Sequence, residues 1–205
     1  MNAGLRREEL HAIKRERILQ EAVALFYEHG FTGATLDDVA ARLGVTKPVI
    51  YSYFRSKMEL LEAICRPTIE LSLQALAEAA AGAGSATERL YRAMVDFTQV
   101  VLGRQANIAI FFREEKSLDP VALARIDALR KEYDRVLSGL LVEGVANGEF
   151  EVADENIAAL AIGGMISWAY TWYRLEGRLS IDEVCERMAQ LALQMVGARH
   201  LHPAR

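Results

Sequence analysis

Four basic residues, Arg42, Lys47, Arg55 and Lys57, stand between Val39 and Met58 with no carboxylate among them. The whole chain has a formal net charge of −4, so this acid-free stretch runs against the composition around it. Each neutralised phosphate of a nucleic-acid backbone releases counterions, and each nearby carboxylate repels that backbone. An acid-free basic face therefore suits a polyanion. The stretch lies within TLDDVAARLGVTKPVIYSYFRSK. It reads as a short helix, a turn at Gly44, a second short helix and a basic exit. Two short helices joined by a glycine-containing turn present the second helix to a DNA groove.

Other chemistry is scarce. His11, His29, His200 and His202 show no ligand spacing with cysteine or acid, and the last two read as solvated residues of a polar tail. The HExxH, GxSxG, Walker and GxGxxG patterns do not occur in the sequence. Asp37-Asp38 and Glu114-Glu115 are i, i+1 neighbours. Such neighbours do not face one another on a helix, so they make no acid–base pair. No catalytic residue, metal or cofactor is expected. Cys65 and Cys185 belong to no CxxC pair and read as free buried thiols in a reducing cytoplasm. Redox sensing is the weaker alternative.

With 205 residues, 52% of them hydrophobic, the chain can build a sizeable core. Residues 1–60 hold nine Lys/Arg against eight Asp/Glu, and residues 61–205 hold fifteen against twenty. A coat protein that is basic throughout is thereby excluded. The asymmetry points to nucleic acid at one end and a different partner at the other. The uncharged run from Ile157 to Tyr173 reads as a helix buried on all sides, with a membrane span as the lesser alternative. The N-terminal stretch is charged and amphipathic and has no apolar signal core. A cytoplasmic protein with no membrane partner is expected.

The elements that must position the basic stretch are helical throughout. Apolar residues recur at helical spacing nearly everywhere, and the expected fold is all-α, about nine helices. The first helix spans about 8–28, turns Ile18, Ala22, Leu25 and Phe26 inward, and ends at His29-Gly30. Thr35 opens the second as a capping box with Asp38. Thr46 can cap the third, with Pro48 tolerated in its first turn. The fourth starts near Lys57, with Pro67 as a kink or break. Ser85 with Glu88 and Ser180 with Glu183 open the fifth and ninth. The domains are expected as 1–56, a helix-turn-helix reader, and 57–205, a ligand-binding and dimerisation domain.

The first sixty residues or so resemble the TetR family of bacterial transcriptional regulators. The resemblance rests on RILQEAVALFYEHGFTGATLDDVAARLGV followed by TKPVIYSYFRSKMELLEAI. It implies that Thr35 and Thr46 cap helices at the phosphate backbone. It places Lys47, Pro48 and Val49 in the major groove. Tyr51, Ser52 and Tyr53 would touch phosphates or base edges, and Lys57 would hold a phosphate. The chain departs from the family at Ser52 and Tyr53, where an aromatic residue and a histidine are common. The residues themselves read Leu43, Val45, Ile50 and Phe54 as the reader's core. The resemblance also implies a homodimer, a palindromic double-stranded operator and repression relieved by a small ligand. LDPVALARIDALRKEYDRVL and WYRLEGRLS resemble the FadR- and KstR-like subgroup, which senses acyl-CoA thioesters of fatty-acid and steroid breakdown. A drug or another hydrophobic effector is the alternative within the same class. A helical small-molecule enzyme or a constitutive architectural DNA protein is the alternative outside it.

Two further residue sets follow. Phe97, Phe111, Phe112, Tyr133, Met165, Trp168 and Trp172 are an aromatic and flexible apolar surplus fit to line an elongated hydrophobic effector. Asn107, Arg113 and Arg174 are its candidate polar contacts. Ala159, Ile162, Gly163, Ile166 and Tyr170 on the eighth helix make one stripe, and Val184, Met188, Leu191 and Met195 on the ninth make another. Together they are the expected dimer face.

Overall fold

The computed structural model describes residues 2–198, with side chains from Glu8 onward. His200 and His202 lie outside the described residues. Among the described residues there are only helices and turns: α1 (Asn2–Gly33), α2 (Leu36–Leu43), α3 (Lys47–Tyr51), α4 (Lys57–Ala81), α5 (Ala86–Gly103), α6 (Gln105–Glu114), a 3-10 turn (Glu115–Ser117), α7 (Pro120–Ala146), α8 (Glu155–Ser167), α9 (Ala169–Trp172) and α10 (Ile181–Met195). The four-residue α9 is a turn split from α8 at Trp168, which leaves the nine-helix plan of the sequence in place. No described helix is long and apolar enough to cross a membrane.

The chain divides into two compact units. One comprises residues through Pro67 together with Ala106–Leu123, the other Thr68–Gln105 together with the chain from Ala124 onward. The division falls inside α4, at the proline that removes an amide from its ladder. The reading of the sequence ended the reader at residue 56; the first compact unit also holds the start of α4 and most of α6.

In the first unit, Ile18, Ala22, Leu25 and Phe26 of α1 are buried with Val39, Ile50, Phe54, Leu60, Leu61 and Ile64. Gly30 breaks the α1 helix with φ 73° and ψ 164°, a conformation that a side chain resists. The helical run thus ends where His29-Gly30 predicted. Val45, expected in this core, is 38% exposed, because the chain leaves α2 at Gly44 with the next residues turned toward solvent.

The second unit is one apolar core. Leu90, Met94 and Val101 of α5, Leu137 and Leu141 of α7, Ile162 and Ile166 of α8, and Met188 and Leu193 of α10 belong to it. Within it, α5 packs against α10. A Cβ on Gly144 would stand 2.1 Å from the ring of Phe150, so glycine is what lets that buried ring close under α7. Just before it, the carboxylate of Glu149 caps α5. It accepts from the amides of Ala86 (3.0 Å) and Thr87 (2.9 Å) and from the Thr87 hydroxyl (2.9 Å). Burial opposes its charge, but these bonds prevail and hold the carboxyl below its usual range. The sequence showed residues 149–153 only as an irregular link.

Candidate nucleic-acid interface

The reader is built from two caps and a glycine. The Thr35 hydroxyl accepts from the Asp38 amide at 3.2 Å, and the Asp38 carboxylate accepts from the Thr35 amide at 2.8 Å. The Thr35 hydroxyl also donates to that carboxylate, and this bond holds Asp38 below the usual carboxylate range. Gly44 sits in the left-handed region at φ 64°. Its amide and that of Val45 satisfy the Ala41 and Ala40 carbonyls, which turns the chain sharply into α3. Thr46 occupies the N-cap position of α3 by backbone, but its side chain makes no capping bond. Pro48 stands in the first turn, where no amide partner is lost.

Buried Ile50 and Phe54 anchor α3 from behind. Thr46, Lys47, Pro48, Val49, Tyr51 and Ser52 are exposed and form one outward surface. The Ser52 hydroxyl donates to the Val49 carbonyl at 2.7 Å, which leaves it an acceptor rather than a free donor. Tyr53 is half-buried and stacks on His11 with ring centroids 4.4 Å apart. Lys57 turns inward. Its ammonium lies 4.3 Å from the Phe31 ring centroid, and burial lowers its pKa. Lys57 therefore braces the start of α4 against the end of α1.

The acid-free stretch is not free of carboxylates in space. Lys47 pairs with Asp37 at 2.9 Å, and this bond raises the lysine's pKa. Arg42 pairs with Glu28 at 2.5 Å. Both acids come from preceding helices, so the gap in the sequence could not display them. Both pairs are exposed, and such pairs are individually weak.

The sequence-predicted effector residues are divided. Phe97 and Tyr133 belong to the interior of the second unit, and Met165 packs against it partly buried. Phe111 is buried in the first unit, and Phe112 is exposed there. Asn107 donates to the Ile64 carbonyl at 3.1 Å, three residues before Pro67. Arg113 donates to the carbonyls of Phe26 and Tyr27 at the end of α1, and Glu114 accepts from the Phe31 amide at 3.2 Å. Asn107 and Arg113 are thus committed to holding α4 and α1, a role that spacing alone did not reveal. Trp168 and Trp172 are exposed, and Arg174 donates to the Thr171 and Tyr173 carbonyls of its own turn.

The sequence-predicted dimer residues also divide. Ala159, Ile162, Ile166, Val184 and Met188 are buried in the chain's own core, while Leu191 and Met195 are exposed. Gly163 and Tyr170 are intermediate. The outward apolar side of α8 is instead Ile157 (65% exposed), Leu160 (58%) and Trp168 just past its end (60%). Neither cysteine is poised for chemistry. Burial pushes the Cys65 thiol up to about 12 and the Cys185 thiol up to about 11.

Comparison with known proteins adds to this geometry. Residues 18–64 match the family described as bacterial regulatory proteins, tetR family, and residues 83–196 match the tetracyclin repressor-like C-terminal domain. The chain belongs to the TetR family of bacterial transcriptional regulators. It is a helix-turn-helix, DNA-binding regulator of the repressor type. The HTH-type transcriptional repressor KstR2 of Mycolicibacterium smegmatis is 25% identical over 92% of this chain and 95% of its own length. The fatty acid metabolism regulator protein of Bacillus subtilis is 26% identical over 77% and 82%. The crystal structure of AibR in complex with isovaleryl coenzyme A and operator DNA is similar with a TM-score of 0.75 and 25% identity, over 86% of this chain and 96% of that one.

Proposed function

We propose that this TetR-family protein is a ligand-controlled repressor. It binds a palindromic operator as a homodimer and leaves it when a hydrophobic effector, an acyl-CoA thioester, is bound. The outward surface of α3, with Lys47, Val49 and Tyr51 exposed over a buried Ile50, carries the DNA part of this reading. Thr46 and Tyr51 reach phosphates and Lys47 reads a base edge. Two relatives support the effector part. One is named for fatty-acid metabolism, and the other was crystallised with a coenzyme A thioester and operator DNA.

The dimer part rests on Ile157, Leu160, Trp168, Leu191 and Met195, all apolar and exposed. Positions 157, 160, 164 and 168 repeat at three and four and place one stripe on α8, opposite the residues in the core. A second copy of α8 and α10 is the partner that would bury it, over about 1,200–2,000 Å2 or more. For the effector to move the operator from mostly bound to mostly free, it must prefer the released form by several kcal/mol. Helix α4, which runs through both compact units, is the covalent route for that preference.

The test is specific retention of DNA from upstream of its own gene in the presence of excess random DNA. Acyl-CoAs of graded length and ring content are then added, with free fatty acids and planar cationic drugs as controls. Release by thioesters alone is expected. Release by the drugs and by no thioester overturns the effector and leaves the repressor standing. Failure to retain any DNA specifically overturns both.

A further inference from the structure

Tyr133 lies on α7 inside the second unit. Its ring centroid is 4.8 Å from that of Phe97 on α5. A Cβ on Gly163 of α8 would stand 3.7 Å from its Cε1, so α8 passes the ring at van der Waals distance. The residue is 8% exposed, and its hydroxyl oxygen is buried with no hydrogen-bond partner in the protein. Burial, with Asp134 nearby, keeps the phenol protonated far above its usual range, so the group is an O–H donor throughout the physiological range.

A buried tyrosine hydroxyl ordinarily finds a partner, because an unmet buried donor keeps its full desolvation cost. Two buried hydroxyls in the same unit obey that rule, while that of Thr68 is buried without a partner. Ser72 donates to the Thr68 carbonyl at 2.9 Å and Thr98 to the Met94 carbonyl at 2.7 Å. Among the described residues, the buried polar or charged ones are Thr68, Ser72 and Thr98. The cluster around Tyr133 is otherwise leucine, isoleucine, valine, phenylalanine, methionine and alanine, with Tyr173 as its second buried tyrosine. A lone buried water needs about two to four polar partners, and the cluster around Tyr133 is poor in them. A ligand with an oxygen set in an apolar frame does not need them, since its other atoms match the apolar walls.

We infer that the Tyr133 hydroxyl donates to an oxygen carried within the apolar part of the effector. The site thus takes a chain or ring bearing an internal keto or hydroxy oxygen in preference to a saturated hydrocarbon of equal length. This inference rests on the effector reading above. A site built to hydrogen-bond a ligand group discriminates against the analogue that lacks it, because the donor is then left unpaired in the complex.

Calorimetric titration of the full chain and of Tyr133→Phe tests it. The probes are palmitoyl-CoA and C16 acyl-CoAs with one keto group at successive chain positions. At least one keto thioester is expected to bind the parent about tenfold or more tighter than palmitoyl-CoA. Tyr133→Phe should lose that preference, binding the keto and the saturated thioester alike. The free Tyr133→Phe protein should melt at the parent's temperature or about 2–4 °C above it, since an unpaired hydroxyl has been removed. A parent that binds palmitoyl-CoA with no keto preference overturns this inference alone. So does a keto preference that survives in Tyr133→Phe, or a free variant that melts several degrees lower, which would mean that the hydroxyl is already paired. A parent that binds no thioester overturns the effector reading, and this inference falls with it.

Discussion

Helices α3 and α8 expose opposite kinds of surface. Helix α3 is five residues long and buries only Ile50. It turns a lysine, a proline, a valine and a tyrosine outward. Helix α8 carries no charge after Glu155. It buries Ala159, Ile162 and Ile166 and exposes Ile157 and Leu160. On α3, the one buried side chain is Ile50, and a lysine and a tyrosine mark the outer side. On α8, both sides are apolar, so polarity decides nothing and only the packed core separates inside from outside. In the function proposed above, the first surface is finished by a polyanion and the second by another apolar surface. A short helix with a polar outer face can stand in water until its partner arrives. A helix with two apolar faces pays in hydration for every exposed isoleucine until it is covered.

The sharpest break of this comparison is a pair of arginine substitutions on α8. Ile166→Arg puts a charge into a fully buried site with no partner, and a loss of more than about 4 kcal/mol is expected. The protein should fail to fold, as read by circular dichroism. Leu160→Arg lies on the exposed side of the same helix. It should leave helicity and the chain's own core intact and shift sedimentation from dimer to monomer. If both variants unfold, or if Leu160→Arg with Leu191→Arg remains a dimer at micromolar concentration, the outward face has been misassigned. A smaller effect on the same core comes from Gly144→Ala. The new methyl would meet Phe150 at 2.1 Å, and overpacking should cost about 1–3 kcal/mol by denaturant titration. A variant as stable as the parent would show that the ring has room to move.

These expectations explain how much could be read in advance. The reader was legible because its signals are local. A Thr-x-x-Asp box, a glycine after Leu43 and a proline one residue into α3 each fix a backbone geometry within a few residues. The capping boxes at Ser85 and Ser180 were legible for the same reason. What was not legible depends on distant pairs. Asp37 neutralises Lys47 across the turn, Glu149 caps a helix that starts 63 residues earlier, and Arg113 ties down the end of α1. No periodicity reports such contacts. The α8 part of the expected dimer stripe lies mostly in the chain's own core for a different reason: on a helix that is apolar all round, the periodicity of three and four fits the inner face as well as the outer.

On α3 the corresponding test is Lys47→Ala against Tyr51→Phe in operator binding. Loss of a base contact should weaken binding about tenfold to a hundredfold at one base position and spare the others. Loss of a phosphate contact should weaken all DNA alike and reduce the salt slope by about one. Lys57→Ala should do neither strongly, because its ammonium faces Phe31; it should mainly lower the melting temperature. A Lys57→Ala protein that melts like the parent but loses operator would return Lys57 to the phosphate backbone.

The smallest expected effect isolates a single cap and has a defined pH signature. Glu149→Gln keeps the shape of the side chain and weakens charge-assisted bonds to the Ala86 and Thr87 amides. Caps are worth about 1 kcal/mol. This carboxylate is only partly shielded from solvent, so screening keeps the value at or below that figure. The carboxyl is held below the ordinary value of 4.5 in the folded chain. A depressed carboxyl contributes stability that is fully present above its unfolded pKa and lost as pH falls through the folded one. The difference between parent and Glu149→Gln should therefore be constant at neutral pH and shrink as the pH drops below about 4.5. Denaturant midpoints at pH 7 and in mild acid measure it. A gap that stays unchanged into acid would mean that the glutamate caps α5 by shape alone, and that its charge contributes nothing at the helix end.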